Sequence, residues 1–242
     1  MERNITLKEL NEQLTGKSVE EVLEKLVSVF KGKVIFTTSF GIEDQVITHI
    51  IFSNNFPVKI VTLDTGRLFR QTYDVFSETI TKYKKKIEIY FPESQEVERM
   101  VNEKGPFSFY ESRENREECC RIRKVLPLNR ALDGMECWIS GIRASQSGNR
   151  SQMNALEYDE TRKLFKYHPL FDWSFEDVEN YIREHGIPYN SLHDKGYLSI
   201  GCEPCTRAVL EGQDFRSGRW WWENDGPKEC GCHVKELEEK IQ

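Results

Sequence analysis

The sequence lacks any long hydrophobic run. It has 242 residues, of which 38% are hydrophobic, its mean hydropathy is −0.61, and no apolar stretch approaches the roughly 18 residues of a membrane span. The opening Met1-Glu2-Arg3-Asn4 has no apolar stretch behind it, so we expect no signal peptide. The formal net charge of −6 gives no support for non-specific nucleic-acid binding. We therefore expect a cytoplasmic protein with neither nucleic acid nor membrane as a partner.

The sequence also lacks the pattern of a disulfide scaffold, although it contains seven cysteines. A chain of this length buries a sizeable core without covalent staples, and an odd number of cysteines cannot all pair within one molecule. In a reducing compartment, cysteines are better explained by metal binding and catalysis. The cysteines therefore indicate function rather than a stapled fold.

Four cysteines form two close pairs, because Cys119 and Cys120 are adjacent and Cys202 and Cys205 are two residues apart. Four thiolates suit tetrahedral zinc or a [4Fe–4S] cluster, and their number alone does not distinguish the two. We expect the tail to carry a nucleophile; its sequence is Lys228-Glu229-Cys230-Gly231-Cys232-His233. Cys137 lies in an apolar run and is predicted to be an inert core residue.

Hydrophobic periodicity predicts an α/β fold. Two capping boxes, Thr6 with Glu9 and Ser18 with Glu21, open helices at the N-terminus. Strand-like runs then alternate with helix-like ones, which is typical of a doubly wound, mostly parallel sheet. The predicted strands are 34–38, 58–63, 87–91 and 137–140, and the predicted helices are 43–52, 68–83, 117–132 and one that Ser174 caps and that ends near Gly186.

Two turns follow predicted strands and precede predicted helices. Ser39-Phe40-Gly41 and Asp64-Thr65-Gly66 would both lie at the carboxyl ends of parallel strands, where ligands bind in such sheets. Backbone N–H groups and hydroxyls there can approach an anion or a ribose. The alternative is that Ser39 and Asp64 belong to ordinary strand-to-helix turns.

Basic residues recur along the second half of this acidic chain. Guanidinium groups pair bidentately with phosphate or sulfate, so arginines from segments that converge on one crevice indicate a bound oxyanion. Scattered surface charge is the alternative, and the run Trp220-Trp221-Trp222 is equally compatible with core or rim packing. The basic residues are Arg121, Arg123, Lys124, Arg143, Arg150, Arg216 and Arg219.

The last thirty residues differ in composition from the rest. Past Gly212 the chain is rich in glycine, charge and tryptophan, and Gly226-Pro227 is a break. We therefore predict a nucleotide-binding α/β domain with N-terminal helices over 1–211 and a catalytic arm over 212–242 that moves over it.

These segments together resemble the assimilatory adenylyl-sulfate reductases, the APS/PAPS reductase family. The resemblance covers most of the chain, and it implies an adenine nucleotide α-hydrolase-like fold related to the ATP pyrophosphatases. It also implies reduction of a nucleotide phosphosulfate to sulfite with thioredoxin or glutaredoxin. The matching motifs are Ser39-Phe40-Gly41-Ile42-Glu43-Asp44, Leu63-Asp64-Thr65-Gly66-Arg67, Cys119-Cys120 with Arg123-Lys124, Gly141-Ile142-Arg143 with Gln146-Ser147, Pro188-Tyr189-Asn190, Gly201-Cys202-Glu203-Pro204-Cys205-Thr206-Arg207, Gly218-Arg219-Trp220-Trp221-Trp222 and Lys228-Glu229-Cys230-Gly231.

The resemblance assigns roles to the cysteines. Members with both cysteine pairs carry a [4Fe–4S] cluster and generally act on adenosine 5'-phosphosulfate (APS), whereas members without them usually require the 3'-phosphorylated form (PAPS). By this pattern the iron ligands are Cys119, Cys120, Cys202 and Cys205, with zinc as the alternative. Cys230 occupies the nucleophile position and would form an S-sulfocysteine intermediate. A PAPS-preferring or dual-specificity enzyme is the alternative within the family.

The resemblance also indicates substrate residues. It places Ser39, Gly41, Asp64 and Gly66 near the nucleotide. In the family, the lysine at the position of Lys124 links the cluster and the substrate electrostatically. The predicted substrate-binding set is Ser39, Gly41, Asp64, Gly66, Lys124, Arg143, Arg150, Arg216 and Arg219.

The tail departs from the family at one position. Family tails usually read Glu-Cys-Gly-Leu-His, so Cys232 replaces an apolar residue with a second thiol. It either packs as a small hydrophobic residue, which we favour because a Cys-x-Cys ring is tight, or resolves the Cys230 intermediate. His233 matches a family position beside the nucleophile, which makes it an auxiliary candidate without an assigned proton-transfer role. The alternative is that it is a solvent-exposed histidine of the tail.

Two other functions remain open. One is a PP-loop enzyme that activates its substrate with ATP, such as a tRNA thiolation enzyme or an FAD synthetase, which would carry a Ser-Gly-Gly-x-Asp-Ser loop. This chain has Ser39-Phe40-Gly41-Ile42-Glu43-Asp44 at that point. The other is a non-enzymatic, zinc-stabilised nucleotide-binding module. A homo-oligomer is also left open.

Overall fold

The computed structural model describes residues 5–148, 150–210, 212–223 and 232. Helices and six strands alternate along most of this length, as the periodicity predicts. The helices are α1 (Leu7–Leu14), α2 (Val19–Phe30), α3 (Ile42–Ser53), α4 (Arg70–Tyr83), α5 (Ser94–Lys104), α6 (Arg113–Cys120), α7 (Leu126–Leu132) and α8 (Phe175–Glu184). The strands are β1 (Val34–Thr38), β2 (Lys59–Leu63), β3 (Glu88–Tyr90), β4 (Cys137–Ile139), β5 (Leu156–Asp159) and β6 (Leu164–Tyr167).

The strands form one sheet in the order β3-β2-β1-β4-β6-β5. β1 pairs with β4 in parallel from Val34 opposite Cys137, and β4 pairs with β6 in parallel from Cys137 opposite Phe165. β2 and β3 are also parallel, whereas β5 and β6 are antiparallel. The predicted mostly parallel, doubly wound sheet is confirmed.

Local capping signals set the helix starts. The side chains of Thr6, Ser18 and Ser174 each accept a bond from the backbone N–H three residues on, and all three form full capping boxes. These hydrogen bonds satisfy N–H groups that the first turn of a helix leaves without partners. The three predicted helix starts are therefore confirmed.

The predicted helix 117–132 is longer and not regular throughout. A π-helical segment, Arg121–Val125, joins α6 to α7, and the Leu126 N–H donates to the carbonyl of Arg121. Pro127 supplies the physical reason, because it has no N–H to donate and its ring crowds the carbonyl four residues earlier. The wider π turn accommodates this proline within a continuous helix.

The chain folds into two compact units, each built from several separate segments. The first takes the described residues up to Ile60 with Glu78–Ile87 and Gly134–Tyr189, and the second takes Val61–Ser77, Glu88–Asp133 and the described residues from Asn190 onward. The predicted boundary near 211 stays a prediction, because most of 212–242 lies outside the described residues. Among the helices that are described, none is long and apolar enough to cross a membrane.

Candidate active site

The four paired cysteines lie around one small cavity in the second unit. Cys119, Cys120, Cys202 and Cys205 line it, and the other lining residues are Phe109 and the cations Arg67, Arg116, Arg123 and Lys124. The structure therefore brings together two cysteine pairs that are about eighty residues apart in the sequence.

The helical half of this cavity follows from residue spacing. Arg116, Cys119, Cys120, Arg123 and Lys124 stand three and four residues apart, which places them on one face of the α6 helix and its π-helical continuation. The helix thus presents two thiols and three cations to the same space.

The other half of the cavity is a short 3₁₀ turn, Glu203–Cys205. Backbone hydrogen bonds hold it on both sides, since the Glu203 N–H donates to the carbonyl of Arg67 at 2.8 Å and the Trp220 N–H donates to that of Cys205 at 3.1 Å. The Thr65 hydroxyl lies 3.3 Å from the Cys202 sulfur. Backbone bonds therefore hold the Cys-x-x-Cys turn on both sides, and the Thr65 hydroxyl contacts one of its sulfurs.

Burial favours the protonated form of two of these thiols, Cys119 and Cys205. It raises the pKa of Cys205 to about 12, with the nearby Cys202 adding to the rise and Arg219 and Lys124 opposing it. Burial also raises the pKa of Cys119, and Arg123 opposes that shift. A metal ion that binds thiolates deprotonates them outright, and the surrounding cations favour the negative charge that results.

Several buried N–H donors around the cavity have no acceptor within the described part of the chain. They are Arg116 Nη1, Arg123 Nε, Arg219 Nε and Trp220 Nε1. A buried donor without a partner costs about 1–3 kcal/mol, so four in one neighbourhood call for an acceptor-rich group. Among the residues that the structure describes, however, no three His, Cys, Asp or Glu side chains converge on a single metal ion.

Arg216 and Arg219 are both buried, and Arg219 is close enough to Cys205 to oppose the rise in the pKa of that thiol. The Nη1 group of each donates to the Ser199 hydroxyl, at 3.4 Å from Arg216 and 3.3 Å from Arg219. Arg219 also lies over the Trp220 ring at 4.9 Å. A Cβ at position 201 would stand 2.2 Å from Arg219 Nη2, so Gly201 leaves the space that the guanidinium occupies. Ser199 thus contacts both of the cations that the sequence predicted for an oxyanion, and Gly201 and Trp220 further position Arg219.

The Asp64-Thr65-Gly66 turn lies next to the cysteines. Asp64 accepts from the Gly66 N–H at 2.8 Å, and the Tyr73 hydroxyl donates to the same carboxylate at 2.9 Å from the nearer oxygen. Arg123 Nη1 donates to the Thr65 carbonyl at 2.6 Å. The turn therefore has a fixed shape, which a strand-to-helix ligand site requires.

In the first unit, the Ser39-Phe40-Gly41 turn joins β1 to α3. The Ser39 N–H and hydroxyl donate to the Asp44 carboxylate at 2.6 and 2.7 Å. Burial raises the pKa of Asp44 to about 6, although these two hydrogen bonds lower it. A Cβ on Gly141 would stand 2.2 Å from Asp44 Oδ1, so glycine is required where β4 ends.

Arg143 and Arg150 belong to a buried polar network in the first unit. Arg143 Nε and Gln146 Nε2 both donate to Glu43 Oε1 at 2.9 Å, and Arg150 donates to Gln146. Arg143 Nη1 also donates to the Ser145 hydroxyl at 2.6 Å. Arg143 is thus bound by neighbouring side chains, and its predicted contact with substrate stays a prediction.

The tail is only partly described. Cys230 and His233 lie outside the described residues, and Cys232 is 7% exposed. Cys137 is fully buried in β4, and burial raises the pKa of its thiol strongly. The prediction that Cys137 is a core residue is confirmed.

Sequence reasoning gave no site role to Thr65, Arg67 or Arg116, which also contribute to the cysteine cavity or contact its residues. Arg116 stands three residues before Cys119, and this helical spacing is the signal that would have found it. Arg67 belongs to a motif already recognised, but its guanidinium is held by the Pro106 carbonyl and lies 5.0 Å from the centre of the Phe109 ring, contacts that the motif does not show.

The fold and the site define an α/β protein of the nucleotide-binding class that carries a cysteine-lined centre. Residues 33–208 match the family model described as the phosphoadenosine phosphosulfate reductase domain. Because this match spans well over half of the chain, the protein belongs to that family.

Curated relatives agree with this assignment. The chain is 48% identical over 216 residues to adenosine 5'-phosphosulfate reductase of Rhizobium meliloti (strain 1021), covering 89% of this chain and 82% of the relative. It is 47% identical to the adenosine 5'-phosphosulfate reductase of Allochromatium vinosum, over 84% of this chain and 80% of the relative.

Solved structures give the same fold. The crystal structure of phosphoadenylyl-sulfate (PAPS) reductase from Candida auris, a phosphate complex, matches with a TM-score of 0.71 and 32% identity, over 84% of this chain and 96% of that one. Yeast FAD synthetase in complex with FAD matches with a TM-score of 0.52 and 14% identity, over 84% and 73%. The second match shows the fold alone, and the predicted adenine nucleotide α-hydrolase-like fold is confirmed.

Proposed function

We propose that this protein reduces APS to sulfite and AMP in assimilatory sulfate reduction, with thioredoxin or glutaredoxin as the thiol donor. The observation that carries the proposal is the cavity that four cysteines line together with Arg123 and Lys124. It occurs in a chain whose relatives at 46–48% identity are named adenosine 5'-phosphosulfate reductases. Reduced thiols are needed throughout, so we assign the reaction to the cytoplasm.

We assign a [4Fe–4S] cluster to Cys119, Cys120, Cys202 and Cys205. Four thiolate ligands in one cavity are what such a cluster requires. The orphaned donors of Arg116, Arg123, Arg219 and Trp220 fit a sulfur-rich anion that accepts hydrogen bonds. When bound, the cluster would add a compact charge beside the cations of the site. Iron and acid-labile sulfide on purified protein support the cluster, whereas zinc without sulfide would contradict it.

The first chemical step is nucleophilic attack at sulfur. The Cys230 thiolate attacks the sulfur atom of the phosphosulfate, the bond between sulfur and the phosphate oxygen breaks, and AMP leaves with that electron pair. We assign to Lys124, Arg216 and Arg219 the stabilisation of the dispersed oxyanion charge, and a cationic surrounding lowers the pKa of an attacking thiol. The product is an S-sulfonated Cys230.

The second step releases sulfite. A thiolate of the donor attacks the Cys230 sulfur, and sulfite leaves with the electron pair of the sulfur–sulfur bond. The donor's second thiol then opens the mixed disulfide and restores Cys230. Two donor thiols become one disulfide, which supplies the two electrons that reduce the sulfonate sulfur.

One assay tests the whole proposal. Anaerobically purified protein is incubated with APS or PAPS, and sulfite is measured with thioredoxin, glutaredoxin and glutathione supplied in turn. We expect turnover with APS and a protein dithiol, and no S-sulfonation in a Cys230→Ser variant. Faster turnover with PAPS would replace the proposed substrate with the alternative within the family. Concentration-dependent elution from a sizing column tests the homo-oligomer that the sequence left open.

The two functions outside the family make different predictions. A PP-loop enzyme that activates its substrate with ATP releases pyrophosphate, and we expect none here. A nucleotide-binding module truncated after Gly226 would still bind its nucleotide normally, whereas a reductase truncated there would lose all turnover. Nucleotide binding measured on the truncated chain, together with sulfite release, therefore separates these functions.

A further inference from the structure

Arg116 is a buried cation of the cysteine cavity that the reaction above does not use. Its residue is 1% exposed, and it lies on α6 three residues before Cys119. A buried guanidinium is costly unless its charge and its N–H groups are matched. The position of Arg116 therefore needs an explanation.

The guanidinium is held on one edge and on one face. Arg116 Nε and Nη2 donate to the two carboxylate oxygens of Glu223 at 2.8 and 3.0 Å, and the guanidinium carbon lies 4.8 Å from the centre of the Trp220 ring. A bidentate pair fixes the plane of the fork, and the ring restricts its tilt. The direction of the remaining nitrogen, Nη1, is therefore determined.

Nη1 is buried, and it has no hydrogen-bond acceptor among the residues described. It belongs to a side chain that lines the same cavity as the four cysteine sulfurs. Arginine keeps its charge in proteins, and the bidentate Glu223 carboxylate balances that charge here. A charged donor thus belongs to the lining of the cavity that the four cysteines also line.

We propose that Arg116 is a positioning residue for the group that the four cysteines hold, with Nη1 donating a hydrogen bond to that group while Glu223 fixes the guanidinium. The inference rests on the proposed iron–sulfur cluster. Glu223 stands seven residues before Cys230 in the sequence.

The test uses the full chain, purified anaerobically with its cluster. Arg116→Gln and Glu223→Gln are compared with the wild type and with Arg113→Gln, a matched control on the same helix whose exposed side chain pairs with Glu117. Iron and sulfide content, the reduction potential and the rate at which an iron chelator bleaches the visible absorption are measured. Metal-free samples are checked for folding by circular dichroism.

A charge-assisted hydrogen bond stabilises the bound cluster. We therefore expect Arg116→Gln to lose its cluster about tenfold faster than the wild type does. We expect its reduction potential to fall, because a positive charge near the cluster is removed. Arg113→Gln should match the wild type. Glu223→Gln should also accelerate the loss, and the double variant should add little to Arg116→Gln, because both act through one contact.

The outcomes separate this inference from the proposed function. A wild type without iron and sulfide overturns the cluster assignment. If the wild type holds a full cluster, and Arg116→Gln and Arg113→Gln lose theirs equally slowly, the role of Arg116 is overturned and the reductase function stays intact. If Arg116→Gln fails to fold, Glu223→Gln decides, and a rate equal to that of the control overturns the inference. Full rescue by Arg116→Lys contradicts a directed hydrogen bond, because lysine lacks the fork.

Discussion

At the residue scale, Arg216 and Arg219 carry the clearest expectation for substrate binding. Both are buried and held by Ser199, so their charges are already oriented before a ligand arrives. We expect Arg216→Ala and Arg219→Ala to weaken binding by about 1.5–3 kcal/mol for each charge-assisted bond lost. Michaelis constants for APS measure this, with the exposed Arg70→Ala as the control for loss of charge. Unchanged constants in both variants would remove these arginines from the site.

The cysteine ligands are also tested one residue at a time. We expect Cys119→Ser or Cys202→Ser to lose most of its iron and its turnover together, because a four-thiolate site loses affinity when one ligand is removed. Cys137→Ala is the matched control, since that thiol is buried elsewhere, in β4. Iron analysis and the visible spectrum decide. Full iron content in the serine variants would contradict the ligand assignment.

Asp44 predicts a pH dependence of stability. Burial raises its pKa from 3.8 to about 6, so the folded state binds the proton more tightly than the unfolded chain does. Its contribution to stability is complete below about pH 4 and is lost as the pH rises through about 6. We expect Asp44→Asn to gain on the order of 2–3 kcal/mol relative to the wild type between about pH 4 and pH 7.

Urea unfolding of the wild type and Asp44→Asn across this pH range measures the effect. Asp74→Asn, which changes an exposed carboxyl, is the control. If the difference in the free energy of unfolding between Asp44→Asn and the wild type does not change with pH, then Asp44 is ionised in the folded protein across this whole pH range.

At the scale of elements, the end of β4 and the start of α3 depend on the absence of a side chain. A Cβ on Gly141 would stand 2.2 Å from Asp44 Oδ1 and 3.4 Å from the Glu43 Cβ. We expect Gly141→Ala to displace Asp44 from Ser39 and to destabilise the protein by about 1–3 kcal/mol. Urea midpoints measure this against Gly148→Ala, where the added methyl meets nothing within 4 Å. Equal midpoints would mean that the turn adjusts without cost.

Elements that the sequence missed share a reason. The β5–β6 hairpin contains Asp159 and Lys166, which are both buried and lie 3.6 Å apart as an ion pair, so its strands do not show the apolar pattern of a buried strand. α5 buries only Met100 and has no side-chain cap, so both its periodicity and its start signal are weak. Tertiary contacts, rather than a local sequence pattern, stabilise these two regions.

At the scale of the whole molecule, Cys232 bears on the complete catalytic cycle. It is buried, as expected of a packing residue, while Cys230 lies outside the described residues. We expect reduced enzyme mixed with APS, without external thiol, to accumulate S-sulfonated protein in both the wild type and Cys232→Ser, as detected by intact mass. One sulfite released per enzyme in the wild type but not in Cys232→Ser would show instead that Cys232 resolves the intermediate.

The sequence by itself determined the alternation of strands and helices, the three capped helix starts and the order of the family motifs. These depend on residues within a few positions of each other, where periodicity and capping act. It also located both cysteine pairs and the strand-end turns. It could not show that Arg143 is bound by Glu43 and Ser145, or that Pro127 follows a π-helical segment.

Only the tertiary structure decided which groups share the cysteine cavity. Arg67 and Arg116 line it from two separate segments of the chain, and Thr65 contacts Cys202. The Pro106 carbonyl holds the Arg67 guanidinium, and the Glu223 carboxylate holds that of Arg116. The buried donors without an acceptor among the described residues are likewise a property of packing, because burial is what denies them water. Local sequence sets which side chains are present, and long-range contacts set what each of them faces.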